Sequence, residues 1–371
     1  MFIYIFVFII SLLLLYLGYK FENKSKALYR LFIACGILLP CILAGIRAIN
    51  IGADTKGYVF HLFELSRKST SINDFIITAK SWYDISDYLY LFLNYFISHI
   101  FGSFKLFLFI VEFLIIFPIF KSLDMSKKTS KEVILGMALF YLFAYNPSFN
   151  IIRQIISISI SILAFHYLFK NNNLKSFILI IAAMGFHKTS VISLLLYFIF
   201  ILFKKLNDNR KKILKIILYS SLLVFIIFFK QIVSFLYSSG IYPHGLLFLQ
   251  VYSTSFDFSY IDTFTYLFVL FIYFKNSDII SESIYSRDFY SFLGISSILL
   301  LSLGWHIQYM ERISYYLFYP FLLYAIPKIY SSENKKNLNF YVIALIIYFI
   351  IYWFVLFVIL NVHNTIPYQF A

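Results

Sequence analysis

Apolar runs long enough to fill a bilayer recur along this chain from residue 2 to residue 361, and the short breaks between them are rich in lysine. They fall at roughly 2–19, 28–46, 88–101, 104–120, 133–145, 149–169, 176–186, 189–203, 213–229, 262–274, 289–304, 313–330 and 340–361. Inside hydrocarbon the backbone must satisfy its own hydrogen bonds, which an α-helix does within one segment. With 61% hydrophobic and 13% charged residues, the chain could not cover a soluble surface with polar groups. It reads as one all-α, polytopic integral membrane domain over 1–371, with roughly 12–13 transmembrane or re-entrant helices. Met1 to Tyr19 lacks a basic leader and a small-residue cleavage site, so it reads as a retained span.

Charge sets orientation. The excess of 31 basic over 17 acidic residues would suggest nucleic acid in a soluble protein. Here most lysines lie between helices, and no nucleic-acid partner is expected. The first loop (Lys20, Lys24, Lys26, Arg30), 121–131, 170–175, 204–212 and a fifth bracketed by Lys328, Lys335 and Lys336 are all basic, and the positive-inside rule puts them in the cytoplasm. An even number of crossings must separate neighbouring basic loops. As one helix, 176–203 would be about 42 Å long and would break that parity. Two short crossings turning between Gly185 and Thr189 restore it and put His187 at an outer tip. The stretch 88–120 must make one net crossing, so part of 88–101 is expected to be tilted, re-entrant or interfacial. Loops 47–87 and 230–261, the second with a turn at Pro243, His244 and Gly245, come out external and flank the expected cavity.

The same parity gathers Arg47, Asp54, Arg153, His187 and Arg312 on one face. A guanidinium stays charged and grips phosphate in a two-pronged fork, so three of them suggest an anionic ligand such as a pyrophosphate. The plain alternative is that each arginine snorkels to the interface, or, for Arg312, pairs with Glu311. His187 has acid/base capacity near neutral pH, or it is a structural histidine. His166, His99 and His61 read as structural, the last two on buried aromatic faces; His306 falls in the outer corner that also holds Arg312. Asp84 and Asp87 in YDISDY resemble an acid pair, but a solvated or helix-capping role is favoured. Cys35 and Cys41 share one apolar span and read as filler. No metal-ligand spacing, phosphate loop or dinucleotide motif occurs, so no metal or cofactor is expected.

These residues carry a resemblance. AGIRAINIGADTKGY resembles the EpsG-family pattern of an arginine followed by G-T-D-T/Y-x-x-Y. NIIRQIISISI resembles its N-x-x-R-Q-x-x-A helix start, AAMGFHKTSVISLL its A-x-x-F-H-x-S-A-L segment, and ERISYYLFY its late arginine-tyrosine stretch. The sequence departs at Ala53, Ser157 and Lys188, which removes no ionisable group. The resemblance implies a Wzy-type polysaccharide polymerase with a GT-C-like helical bundle in the bacterial cytoplasmic (inner) membrane. It would transfer an undecaprenyl-diphosphate-linked glycan onto a lipid-linked repeat unit at the extracytoplasmic face. On that reading Arg47 and Arg153, with Arg312 in reserve, hold the diphosphate; Gln154 and Tyr58 belong to the same substrate-binding set; His187 or Asp54 is the base. Partners would be the lipid-linked donor and acceptor, the bilayer, a flippase and a chain-length regulator.

Two other classes stay open. A flippase for lipid-linked sugars would need the same cations, but nearer the midplane and with internal symmetry. A membrane O-acyltransferase would want a histidine in the core, for which His166 is the candidate.

Overall fold

A computed structural model describes residues 1–85, 87–239, 260–281, 283–305, 309–331 and 338–371. Most of loop 230–261, with its Pro243–His244–Gly245 turn, as well as His306, Lys335 and Lys336, lies outside the described residues. The described chain is all-α; its one β pairing is an isolated bridge between Arg47 and Phe370. In chain order the helices are α1 (Phe2–Phe21), α2 (Lys26–Gly45), α3 (Phe60–Lys68), α4 (Ile72–Tyr83), α5 (Tyr88–Ile100), α6 (Phe104–Ser126), α7 (Ser130–Phe143), α8 (Tyr145–Ser148) and α9 (Ile152–Phe169). They continue with α10 (Asn173–Phe186), α11 (Val191–Lys205), α12 (Asp208–Ile227), α13 (Phe229–Ser238), α14 (Tyr260–Lys275), α15 (Ser277–Ile280), α16 (Ile284–Leu301), α17 (Tyr315–Pro320) and α18 (Leu338–Trp353).

Among the described residues five helical stretches are long and apolar enough to cross a bilayer: Phe2–Phe21, Lys26–Gly45, Phe104–Ser126, Ile152–Phe169 and Asn339–Ile359. A sixth results if α12 and α13, bent by 68° at their junction, are taken as one span. The chain is thus a polytopic α-helical membrane protein. The break expected within 88–120 falls at residues 101–103, where Gly102 takes φ +60° and ends α5. At 13 residues α5 is about 20 Å long, short of a full crossing. The break expected at 185–189 is also present: α10 stops at Phe186, and Lys188–Ser190 form a single 3₁₀ turn. Residues 47–87, read as a loop, are instead largely helical, through α3 and α4.

The chain divides into two compact units, Met1–Leu194 with Pro327–Ala371, and Leu195–Ile326. In the first, α2 packs on α1 and α6, and α9 packs on α6 and α10. Pro40 lies inside α2 and has no N–H to give the Gly36 carbonyl one turn earlier. That freed acceptor is taken by the Ser11 hydroxyl of α1, at 2.6 Å. In α9 the alternation of Ile and Ser from Ile156 to Ile162 has the two-residue period of a strand. The helix wins because all its backbone groups pair internally, and buried Ser157 and Ser161 bond back to carbonyls of their own helix, each at 2.8 Å.

Residues 361–371 run over the end of α2. Ala48 N–H donates to Gln369 O (2.9 Å), Ala371 N–H to Ile46 O (2.9 Å), and Tyr4 and Asn146 both bond Thr365. In the second unit, α16 packs against α12, α14 and α17, and Tyr266 stacks on Phe318 while bonding Ser314 at 3.0 Å.

Candidate active site

Three segments of the first unit meet at one carboxylate. Asp87 precedes α5, yet its side chain does not cap that helix. It turns inward and is 3% exposed. Its Oδ2 accepts from Arg153 Nη1 at 2.5 Å and lies 3.4 Å from His187 Nδ1, while its Oδ1 accepts the Lys188 backbone N–H at 3.2 Å. Burial pushes the Asp87 carboxyl up, but the His187 hydrogen bond and the Arg153 charge outweigh it and hold the group below the ordinary aspartate range. The solvated or capping role expected for Asp87 is therefore corrected. A capping carboxylate would need only the α5 N-terminus, whereas this one is the shared partner of the Arg153 guanidinium and the His187 ring. Asp84 is the residue that ends a helix, closing α4 at φ 51°.

The local sequence explains the meeting. Gly185 sits against Leu89, where an added Cβ would fall 2.6 Å from the Leu89 side chain, so only glycine lets α10 come this close to α5. His187 follows two residues later, and the turn beneath it is held by Ser190, whose hydroxyl donates to His187 O at 2.7 Å. On α9, Arg153 lies one turn after Asn150. Asn150 accepts the Asp54 N–H (3.1 Å) and donates to His363 O (2.8 Å), tying loop 47–59 and the 361–371 segment to the start of the helix. Gly52, at φ +92°, has no room for a Cβ, which would sit 2.7 Å from the Phe149 carbonyl.

Arg153 also donates from Nε to the Tyr58 hydroxyl at 3.3 Å and faces the rings of Tyr58 and Tyr90 at 5.4 and 5.9 Å. Tyr58 rides on a π-helical turn, Thr55–Val59, an irregularity common at functional sites. Burial raises its phenol, so it stays protonated. Asp54 is half-buried, and its charge bears on both Tyr58 and Tyr90. The Arg153 and His187 side chains keep 22% and 23% of their surface open, so a ligand can reach both.

The structure thus brings Asp54, Tyr58, Arg153 and His187 together, adds Asp87 and Asn150, and sets the other expected residues elsewhere. Arg47 is 1% exposed: its guanidinium lies 4.1 Å over the Phe149 ring, donates to Ala44 O (2.8 Å) and Thr55 Oγ1 (3.4 Å), and feels the charge of buried Glu112. Glu112 in turn accepts from Ser148 Oγ at 2.9 Å. The expected ligand-facing setting of Arg47 is not what the structure shows, because the 361–371 segment covers the end of α2. Removing the guanidinium takes a hydrogen-bond partner from the buried Ala44 carbonyl and Thr55 hydroxyl, a loss of about 1–3 kcal/mol. Arg47→Ala should therefore lower the yield and melting temperature of the purified protein, and a variant with unchanged melting would show that Arg47 is not part of the scaffold. Gln154 is buried at 6% beside the site residue Arg153. Arg312 belongs to the second unit, beside Glu311 and 4.4 Å from the centre of the Tyr309 ring.

His166 is buried at 2%, but His61 and His99 are exposed rather than on buried faces; His99 stacks on Tyr95 at 3.9 Å on the outside of α5. Cys35 and Cys41 are both free thiols. Among the described residues no three His, Cys, Asp or Glu side chains are grouped to hold a metal ion.

A polytopic helical membrane protein with a half-open ionic cluster, built from an arginine, a histidine and a buried carboxylate, is the class these features define. Residues 30–370 match the EpsG family model, nearly the whole chain, and the chain belongs to that family, whose members are Wzy-like polysaccharide polymerases. Searches of curated proteins and of solved structures gave no match.

Proposed function

We propose that this chain is a Wzy-type polymerase of the bacterial inner membrane, joining undecaprenyl-diphosphate-linked glycans on the extracytoplasmic side. The observation that carries the reading is the convergence of Arg153, His187 and Asp87 from three distant segments, in a chain of this family. In the reaction, a hydroxyl oxygen of the acceptor repeat unit attacks the anomeric carbon of the donor glycan. The bond from that carbon to the diphosphate oxygen breaks, and its electron pair leaves with undecaprenyl diphosphate. The hydroxyl proton passes to a base. Arg153 meets the charge that develops on the leaving diphosphate. His187 or Asp54 takes the proton, and Asp87 holds both Arg153 and His187 in register. Tyr58, whose oxygen already accepts from Arg153, has its own O–H to offer a sugar or phosphate oxygen.

The test is reconstitution of the purified protein in vesicles with undecaprenyl-diphosphate repeat units. The expected result is a ladder of chain lengths, with one undecaprenyl diphosphate released for each bond made. Movement of labelled repeat units across the bilayer without bond formation would instead identify a flippase.

A further inference from the structure

A cavity of about 690 Å³ lies between α1, α7 and α18, well away from Asp87 in the chain's own first unit. Its wall is apolar along the length of the helices, from Ile5 on α1, Leu142 on α7 and Phe354 after α18 at one end to Tyr16 at the other. From Ile5 to Tyr16 the α1 wall alone runs about 16 Å along the helix axis, the reach of an extended lipid chain rather than of a compact ligand. Polarity gathers at one end only, at Ser130, Lys131 and Tyr330. Lys20 stands at that end too, 4.7 Å over the Tyr16 ring, and Lys131 lies 5.7 Å over the Tyr330 ring.

The lysines there differ in what neutralises them. Lys127 is held by Asp124 at 2.6 Å and Glu22 at 3.0 Å. Glu132 is committed to the backbone N–H groups of Lys128 and Thr129, both at 3.0 Å. Among the described residues these acids are therefore taken, and the contacts of Lys20 and Lys131 there are with aromatic faces. An apolar slot ending at two cations that have no carboxylate partner among the described residues has the charge and shape of a site for one acyl chain under an anionic phosphate. Both lysines belong to the basic loops that the positive-inside rule assigns to the cytoplasm. A lipid diphosphate waiting for an extracytoplasmic reaction would carry its charge at the opposite surface.

We infer that this slot binds an anionic glycerophospholipid of the cytoplasmic leaflet, one acyl chain between α1, α7 and α18 and its phosphate between Lys20 and Lys131. The choice of a glycerophospholipid over a lipid diphosphate rests on the extracytoplasmic polymerase reading, whereas the slot and its two lysines do not. It is tested by native mass spectrometry of the full chain released from nanodiscs of phosphatidylglycerol and phosphatidylcholine in equal amounts. One phosphatidylglycerol should remain bound in marked preference to phosphatidylcholine. A surface lysine near an anionic leaflet is worth about fivefold, so Lys20→Glu with Lys131→Glu should cut retention about twentyfold or more, while Lys20→Arg with Lys131→Arg keeps it. Ala138→Phe, which fills the slot without changing charge, should also lose the lipid. Equal retention of phosphatidylcholine, insensitivity to the paired Glu variants, or displacement of phosphatidylglycerol by added undecaprenyl phosphate would each overturn it.

Discussion

Arg153→Lys should fail almost as badly as Arg153→Ala in a polymerisation assay, although it keeps the charge. The structure uses the shape of the guanidinium: Nη1 reaches Asp87, Nε reaches Tyr58, and the plane faces two tyrosine rings. An ammonium can supply one of these bonds in place but not the fork, and it is more strongly hydrated. Losing one fixed donor to a developing negative charge typically slows turnover about 100- to 1,000-fold. Both variants should thus leave single lipid-linked repeat units unextended and make no long chains, with folded protein still present in the membrane. A normal ladder from the lysine variant would reduce Arg153 to an interfacial cation.

Replacing His187 should be equally severe, and the choice of substitute separates its roles. A general base contributes on the order of 100- to 10,000-fold, so His187→Ala and His187→Gln should both be nearly inactive if the imidazole takes the proton. A Gln variant with much of its activity would mean that His187 only hydrogen-bonds, leaving Asp54 as the base and Asp54→Asn as the dead variant. The pH profile adds an independent reading. Asp87 is held below its reference value of 3.8, so it stays ionised throughout the range from about pH 5 to pH 8. The stability its ion pair contributes is present above the ordinary aspartate range and is lost only as pH falls through its lower folded-state value. Asp87→Asn should therefore depress turnover at every pH in that interval without creating a new limb there. An acidic limb in the turnover profile should disappear only when His187 is changed; its survival in His187→Gln would remove the histidine from proton transfer.

Much of this was legible in the sequence, for physical reasons. The all-helical membrane class follows from hydrocarbon thickness and backbone hydrogen bonding. The breaks at Gly102 and His187 follow from runs too long for the crossings that the charged loops allow. Arg153 and His187 were readable because one interruption in an apolar run is conspicuous, Asp54 through the parity of the basic loops, and Tyr58 through the family resemblance. Asp87 was not. It sits in a stretch where positive and negative charges balance, three residues after a second aspartate, and no periodicity separates the buried one from the exposed one. The signal that could have singled it out is its position directly before the apolar run at 88–101, where an acid has little solvent behind it. Arg47 failed differently. Its helix end looked interfacial, and only the return of residues 361–371, far away in the chain, takes it out of reach.

The contact between Arg153 and Asp87 also bears on how fast such a site lets go. A bare guanidinium facing a diphosphate would bind tightly and surrender its product slowly, because separation would leave a desolvated cation behind. On the proposed reaction, departure is an exchange of one anion for another: as the phosphate withdraws, the carboxylate resumes the bond to Arg153 that it holds at rest. Affinity is thereby spent against a competitor built into the chain, and what is gained is a short residence time. Because that reaction discharges one carrier lipid for every link, quick release keeps product departure from limiting the polymer made per unit time.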